Sequence, residues 1–274
     1  MKARGFFLKV LAAGIFALGV TSFSHAGAIH DSALFNGNTL AANDDGSTGA
    51  VSFGFNVNFF GATYSQLFVN NNGNVTFDSR LSTFTPFSLL STSHPMLAPF
   101  FGDVDTRGAG SGLVRYGTNT LNGRNAFGVN WINVGYFGAH VDKLNSFQLI
   151  MIDRSDTGVG NFDFEFNYDK VLWETGDASG GSGGLGGNCA RAGWSNGVNA
   201  SYEIAGSATC RAFLDASSQT GLIHNRLNSQ TDGQYAFSVR NGQVVNNVPE
   251  PVSLALVGLG LAGLGAIRRR KVTC

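Results

Sequence analysis

The feature that most constrains this chain is a period of two. In Val51, Phe53, Phe55, Val57 and Phe59 every second side chain is apolar, with Ser52, Gly54, Asn56 and Asn58 between them. Successive side chains of an extended strand point to opposite faces, so this spacing predicts a strand with one buried and one wet face. The pattern returns in Phe162, Phe164, Phe166 and Tyr168 against Asp163, Glu165, Asn167 and Asp169, and again in Tyr235, Phe237 and Val239. Residues 147–152 are apolar at almost every position and predict a strand buried on both faces.

Turn chemistry falls between the runs. Asn72-Gly73 separates 67–69 from 75–77, and Asn122-Gly123 precedes 127–131; Asn-Gly supplies the positive φ that tight hairpins need. With about nine strands over roughly 220 residues and no amphipathic helix between the ends, the pattern predicts an all-β fold. We expect a single antiparallel β-sandwich or jelly-roll-like domain over 27–247, its strand order not legible. No fixed-period repeat is present, which sets aside solenoids and propellers. The glycine-rich stretch 177–188 reads as a loop, either rimming a binding surface or making a plain surface excursion. A hydrophobic fraction of 43%, with 12% aromatic residues, supplies a core and argues against disorder.

The two ends read as addresses. Residues 1–26 carry a basic start (Lys2, Arg4, Lys9), an apolar stretch over 10–20 and small residues at Ser24 and Ala26, which predicts a helical signal peptide cut after Ala26. At the other end Val248-Pro249-Glu250-Pro251 is followed by the uncharged run 252–267 and then by Arg268, Arg269, Arg270 and Lys271. Such a run predicts a short transmembrane helix held with its basic end in the cytoplasm. The three parts in this order resemble the PEP-CTERM sorting signal. That resemblance implies a Gram-negative bacterium, recognition by an exosortase in the inner membrane, removal of the tail (248–274) near Pro249-Glu250-Pro251, and export associated with exopolysaccharide. The span would then be a transient anchor.

Charge and cysteine usage agree with export. Three of the 18 bases lie in 1–26 and four in 268–271, and Glu250 belongs to the tail, so residues 27–249 carry 11 bases against 17 acids, about −6. Gripping nucleic acid by charge is not expected of it. Cys189 and Cys210 lie in the middle region, whereas Cys274 sits in the tail. An oxidising compartment favours a Cys189 to Cys210 disulfide, worth roughly 3 kcal/mol in the chain-entropy model. Two free thiols or a metal site are the alternatives, and neither has a C-x-x-C or a nearby His behind it.

The densest run of chemistry is Ala98-Pro99-Phe100-Phe101-Gly102-Asp103-Val104-Asp105-Thr106-Arg107-Gly108. In an extended segment Asp103 and Asp105 share a face, one pleat apart, and two carboxylates so placed suit Ca²⁺, which takes six to eight oxygen ligands. The competing reading, preferred on the sequence, has Asp103 pair with Arg107 or accept backbone N–H groups and organise the turn. No resident cofactor is expected; Ca²⁺ is the one ion the pair would suit.

The middle of the chain resembles the nidogen-like (NIDO) extracellular domain. The residues that carry the resemblance are Phe60-Gly61-Ala62-Thr63-Tyr64, the run LFVNNNGNVTF at 67–77, Phe84-Thr85-Pro86, APFFGDVDTRG at 98–108 and Val114-Arg115-Tyr116. It continues through Phe147-Gln148-Leu149-Ile150, FNYDKVLWETGDASGG at 166–181 and Ala192-Gly193-Trp194-Ser195, covering roughly 58–207. The resemblance implies extracellular adhesion or matrix association rather than catalysis, with no catalytic residues to carry over. The inserted glycine-rich stretch and the cysteine pair depart from it.

Other motifs are weaker. Asp163 and Glu165 share a strand face, as a glycosidase could use, but acids opposite three phenylalanines also make an ordinary solvent face. His30, His94, His140 and His224 share no ligand spacing, the glycines at 180–187 lack the Lys of a P-loop, and no nucleophile elbow is present. Among the tryptophans, Trp131 and Trp173 fit a core, while Trp194, in a polar Gly/Asn stretch, is the expected ligand-contact ring.

The expectation is thus a secreted or cell-surface adhesion or matrix protein, not an enzyme. Its partners would be signal peptidase and exosortase during processing and an exopolysaccharide or matrix protein afterwards. The alternatives are a carbohydrate-active enzyme using Asp103, Asp105, Asp163 or Glu165, and a self-associating matrix component without a ligand.

Overall fold

The computed structural model describes residues 27–245. The signal peptide expected at 1–26 and the sorting tail, with its expected span at 252–267, lie outside the described residues. Among the described residues no helix is long and apolar enough to cross a membrane.

The described residues form fourteen strands linked by turns and short 3₁₀ segments. In chain order they are β1 (Asn38–Thr39), β2 (Val51–Phe59), β3 (Ala62–Asn70), β4 (Asn74–Thr76), β5 (Pro95–Phe101), β6 (Val104–Asp105) and β7 (Arg115–Leu121). The second half contributes β8 (Arg124–Tyr136), β9 (His140–Asp153), β10 (Phe162–Lys170), β11 (Arg191–Asn196), β12 (Ser201–Glu203), β13 (Gln234–Arg240) and β14 (Gln243–Val245). The long alternating runs are strands as expected. The additional ones, β1, β6, β12 and β14, are two or three residues long, too short for periodicity to register.

Two sheets pack face to face. One has eight strands in the order β1-β7-β8-β9-β10-β13-β14, with β6 also on β8, and the other has six in the order β12-β11-β5-β4-β3-β2. All pairings between strands are antiparallel, so the sandwich class is as expected. The β7–β8 hairpin closes through Asn122 (φ 51°) and Gly123 (φ 75°), both left-handed, the primed turn that matches strand twist.

The inner faces meet in one aromatic core. Trp131 stacks on Phe147 at 5.2 Å and Phe100 sets its edge against Trp173 at 5.4 Å, all four rings being fully buried. Each such ring contributes on the order of 1.5–3 kcal/mol by leaving water. Residues 147–152 of β9 are buried on both faces, as predicted: Phe147, Leu149 and Met151 face the core, while Ile150 and Ile152 pack on Phe35 from the N-terminal 3₁₀ turn. The same segment modifies the expected wet face of β10, since His30 reaches Glu165 at 2.9 Å and Asn167 is wholly buried, bonded to Gln148.

One crossover positions the site. Strand β5 belongs to the six-stranded sheet, yet two residues later β6 pairs with β8 of the other sheet, Val104 opposite Tyr136 and Asp105 opposite Gly135. Strand β7 leaves this edge free because its pairing with β8 stops at Asn130, before the irregularity between Trp131 and Val134. Gly102 and Asp103 therefore carry the chain from one sheet to the other.

Candidate functional site

The site grows out of the turn between β3 and β4. Gly73 adopts φ 72°, and a Cβ there would lie 1.8 Å from the Phe100 carbonyl oxygen, so the turn seats directly on β5. The asparagines around it are buried and act as struts. The Asn71 side chain donates to the carbonyls of Asp44 and Val104 and accepts from Thr106 Oγ1 at 3.5 Å, while the Asn71 main-chain carbonyl accepts from Trp131 Nε1 at 3.0 Å. Asn72 Oδ1 accepts from Val104 N–H at 3.0 Å, and Asn72 Nδ2 donates to Asp45 Oδ1 at 2.8 Å and to the Thr83 carbonyl at 3.2 Å. Both ends of each buried amide are thus used.

Three carboxylates converge over this scaffold. One oxygen from each of Asp44, Asp45 and Asp103 lies within 4.8 Å of the other two. Asp103 is 1% exposed. Its Oδ2 receives Ser179 Oγ at 3.5 Å and lies against Gly176, where a Cβ would come within 2.2 Å of it; its Oδ1 has no hydrogen-bond partner among the described residues. Asp44 Oδ2 receives Arg107 Nη2 at 2.9 Å, and Asp44 Oδ1 is likewise shielded and unpartnered. Burial, followed by the charges of Asp44 and Asp45, pushes Asp103 up to about 7. Burial, followed by the charges of Asp105 and Asp45, pushes Asp44 up to about 6 against the pull of Arg107.

Asp105 takes no part in that group. Burial alone would raise its pKa, but Arg107 donates to it three times, from Nε, Nη2 and the main chain, and Ala139 N–H adds a fourth bond, so it is held below the ordinary carboxylate value. The expected pairing of Asp103 with Asp105 on one face is therefore corrected. The chain changes sheets at Asp103, so the pleat that would align the two carboxylates is broken, and the partner of Arg107 is Asp105. The cluster's other members, Asp44 and Asp45, had no signal in the sequence beyond two adjacent acids before a glycine.

Cys189 and Cys210 form a disulfide with Cα atoms 5.3 Å apart. The glycine-rich loop that leads into Cys189 is also tied to Glu174: this buried side chain accepts Gly186 N–H at 3.1 Å and, beyond the bridge, Arg211 N–H at 2.5 Å. Cys189, Cys210 and Glu174 come together in space, but sulfurs spent on a disulfide are not thiolate ligands.

Trp194 is corrected from a surface ring to a core residue. It is 8% exposed, stacked on Phe60 at 5.4 Å and edge-on to Phe59 at 6.1 Å. Strand β11 runs between β5 and β12, which places Ala192 and Trp194 in the core despite their polar neighbours. The acids on β10 are engaged too: Asp163 is bridged by Arg154 and Arg240 at 2.6 and 2.7 Å, Glu165 by His30. A cavity of about 230 Å³ lies beside Tyr202 and Tyr235; its Arg226 is paired with Asp232, and Asn225 donates to the carbonyls of Gln219 and Gly221.

Comparison with known proteins locates this architecture. A family model described as a nidogen-like domain matches residues 65–122 and 113–241, and one described as a PEP-CTERM protein-sorting motif matches residues 247–271. The chain is 31% identical to alpha-tectorin of Gallus gallus over 239 residues, 78% of this chain and 10% of that protein. It is 31% identical to alpha-tectorin of Mus musculus over 226 residues, and 27% identical to nidogen of Drosophila melanogaster over 225 residues, 16% of the latter's length. The chain thus spans only a small part of these relatives. No solved structure matches it.

Proposed function

Because the chain belongs to the nidogen-like domain family, we propose that it is a secreted, exosortase-processed protein of the bacterial surface or extracellular matrix, where its β-sandwich acts by adhesion. The observation that carries this reading is the presence of a nidogen-like domain and a PEP-CTERM motif on one chain. In this reading residues 1–26 direct export, the span at 252–267 holds the protein transiently in the inner membrane, and exosortase cuts near Pro249-Glu250-Pro251. Arg268, Arg269, Arg270 and Lys271 keep the tail oriented toward the cytoplasm until then. The mature domain then associates with exopolysaccharide or a matrix protein in the biofilm. The disulfide between Cys189 and Cys210 suits an oxidising destination.

The test compares the protein from its host with that from the same host lacking exosortase. Intact mass and fractionation should show a shortened, exported protein in the first, and a full tail retained in the inner membrane in the second. Identical mass and location in both would overturn the processing reading. Retention of the processed protein on the host's own exopolysaccharide, without release of sugar, tests the adhesion reading; released sugar would move it to the carbohydrate-active alternative.

A further inference from the structure

We propose that Asp44, Asp45 and Asp103 form a Ca²⁺ site that clamps the loop before β2 onto the crossover between the two sheets. Ligand oxygens each about 2.4 Å from one ion lie at most about 4.8 Å apart, and the three carboxylates meet that limit. A cluster of acids alone would not carry the assignment. The second observation is the state of Asp103: it is 1% exposed, its carboxylate lies within 4.8 Å of the other two, and its Oδ1 has no hydrogen-bond partner among the described residues. A buried carboxylate oxygen left so is costly unless something fills the place. Asp44 Oδ1 is in the same condition.

The charge count points the same way. Asp44, Asp45 and Asp105 gather around one guanidinium, that of Arg107, which binds Asp105 through two nitrogens and Asp44 through one. Among the described residues no cation is paired with Asp45 or Asp103. The donors are all oxygen, which favours a hard cation over zinc. Asp44 and Asp45 are only half-buried, so water can complete the larger coordination sphere that Ca²⁺ takes. The supports are already in place: Asn72 holds the Asp45 carboxylate and the residue after Asp103, while Asn71 holds the Asp44 main chain.

The experiment titrates the chelator-treated, otherwise intact protein with Ca²⁺ by calorimetry and follows its melting temperature. We expect one saturable site with a Kd of about 10⁻⁴–10⁻³ M, the range of extracellular calcium modules, and a rise in Tm that chelator reverses. Asp103→Asn should abolish binding. Because that variant also alters a buried position, Asp45→Asn is the second arm, expected to fold and to bind at least about tenfold more weakly. Asp156→Asn, at an acid outside the cluster, should bind as the parent does. No saturable binding by the folded parent, or binding unchanged in Asp45→Asn, would overturn the proposal.

Discussion

The side chain of Asn72, in a turn of the six-stranded sheet, accepts the main-chain N–H of Val104, the first residue of β6 in the eight-stranded sheet, at 3.0 Å. Both groups are buried. This one contact fixes where the chain passes between sheets, and so fixes Asp103.

Replacing Asn72 by Ala should therefore destabilise the whole domain. The change leaves the buried Val104 N–H with only the Gly102 carbonyl as acceptor and removes the donor to the half-buried Thr83 carbonyl and Asp45 carboxylate, a loss of about 1–3 kcal/mol in all. Urea denaturation followed by tryptophan fluorescence should show the midpoint fall with little change in slope.

Gly73→Ala should be worse. The position has φ 72°, and the new Cβ would sit 1.8 Å from a backbone oxygen that cannot swing away. We expect a loss of about 3 kcal/mol or more, read as a large drop in Tm or in the yield of folded protein.

Breaking the disulfide should act locally first. Glu174 continues to hold Gly186 and Arg211 after reduction. The Cys210→Ser variant should lose about 2–4 kcal/mol, and limited proteolysis should cut within the glycine-rich loop while the strands stay protected.

Asp215 supplies a pH test away from the acidic cluster. Burial raises its pKa, against a hydrogen bond from Val171 N–H at 2.8 Å. A carboxyl whose folded pKa exceeds its unfolded value contributes most below the unfolded value of about 3.9 and loses that contribution as pH rises through the folded one. Asp215→Asn keeps the acceptor for Val171 and removes the charge. The stability of Asp215→Asn minus that of the parent should increase from pH 4 to pH 7; a difference that is flat or falls over this range would refute the assignment.

Much of the fold is legible without coordinates. The alternation in β2, β10 and β13 states which residues face the core, and Asn122-Gly123 states where a two-residue hairpin turns. Both are local rules, acting over two to four residues. Trp194 shows where such rules stop. Its neighbours are polar, and composition places it at the surface, but β11 lies between two other strands and the ring has nowhere to go except the core.

By itself the sequence determined the class of fold, the one pairing open to the two cysteines of the domain, and the sorting motif at the end of the chain. Each of these is written in residues close together or in a pairing with no competitor. Tertiary structure alone decided the acidic cluster. Asp44 and Asp45 meet Asp103 because Gly102 and Asp103 carry the chain between sheets and Asn71 and Asn72 brace the crossing. Contacts across so many residues depend on which strand edges remain free for pairing, and that is settled only when both sheets have closed around their common core.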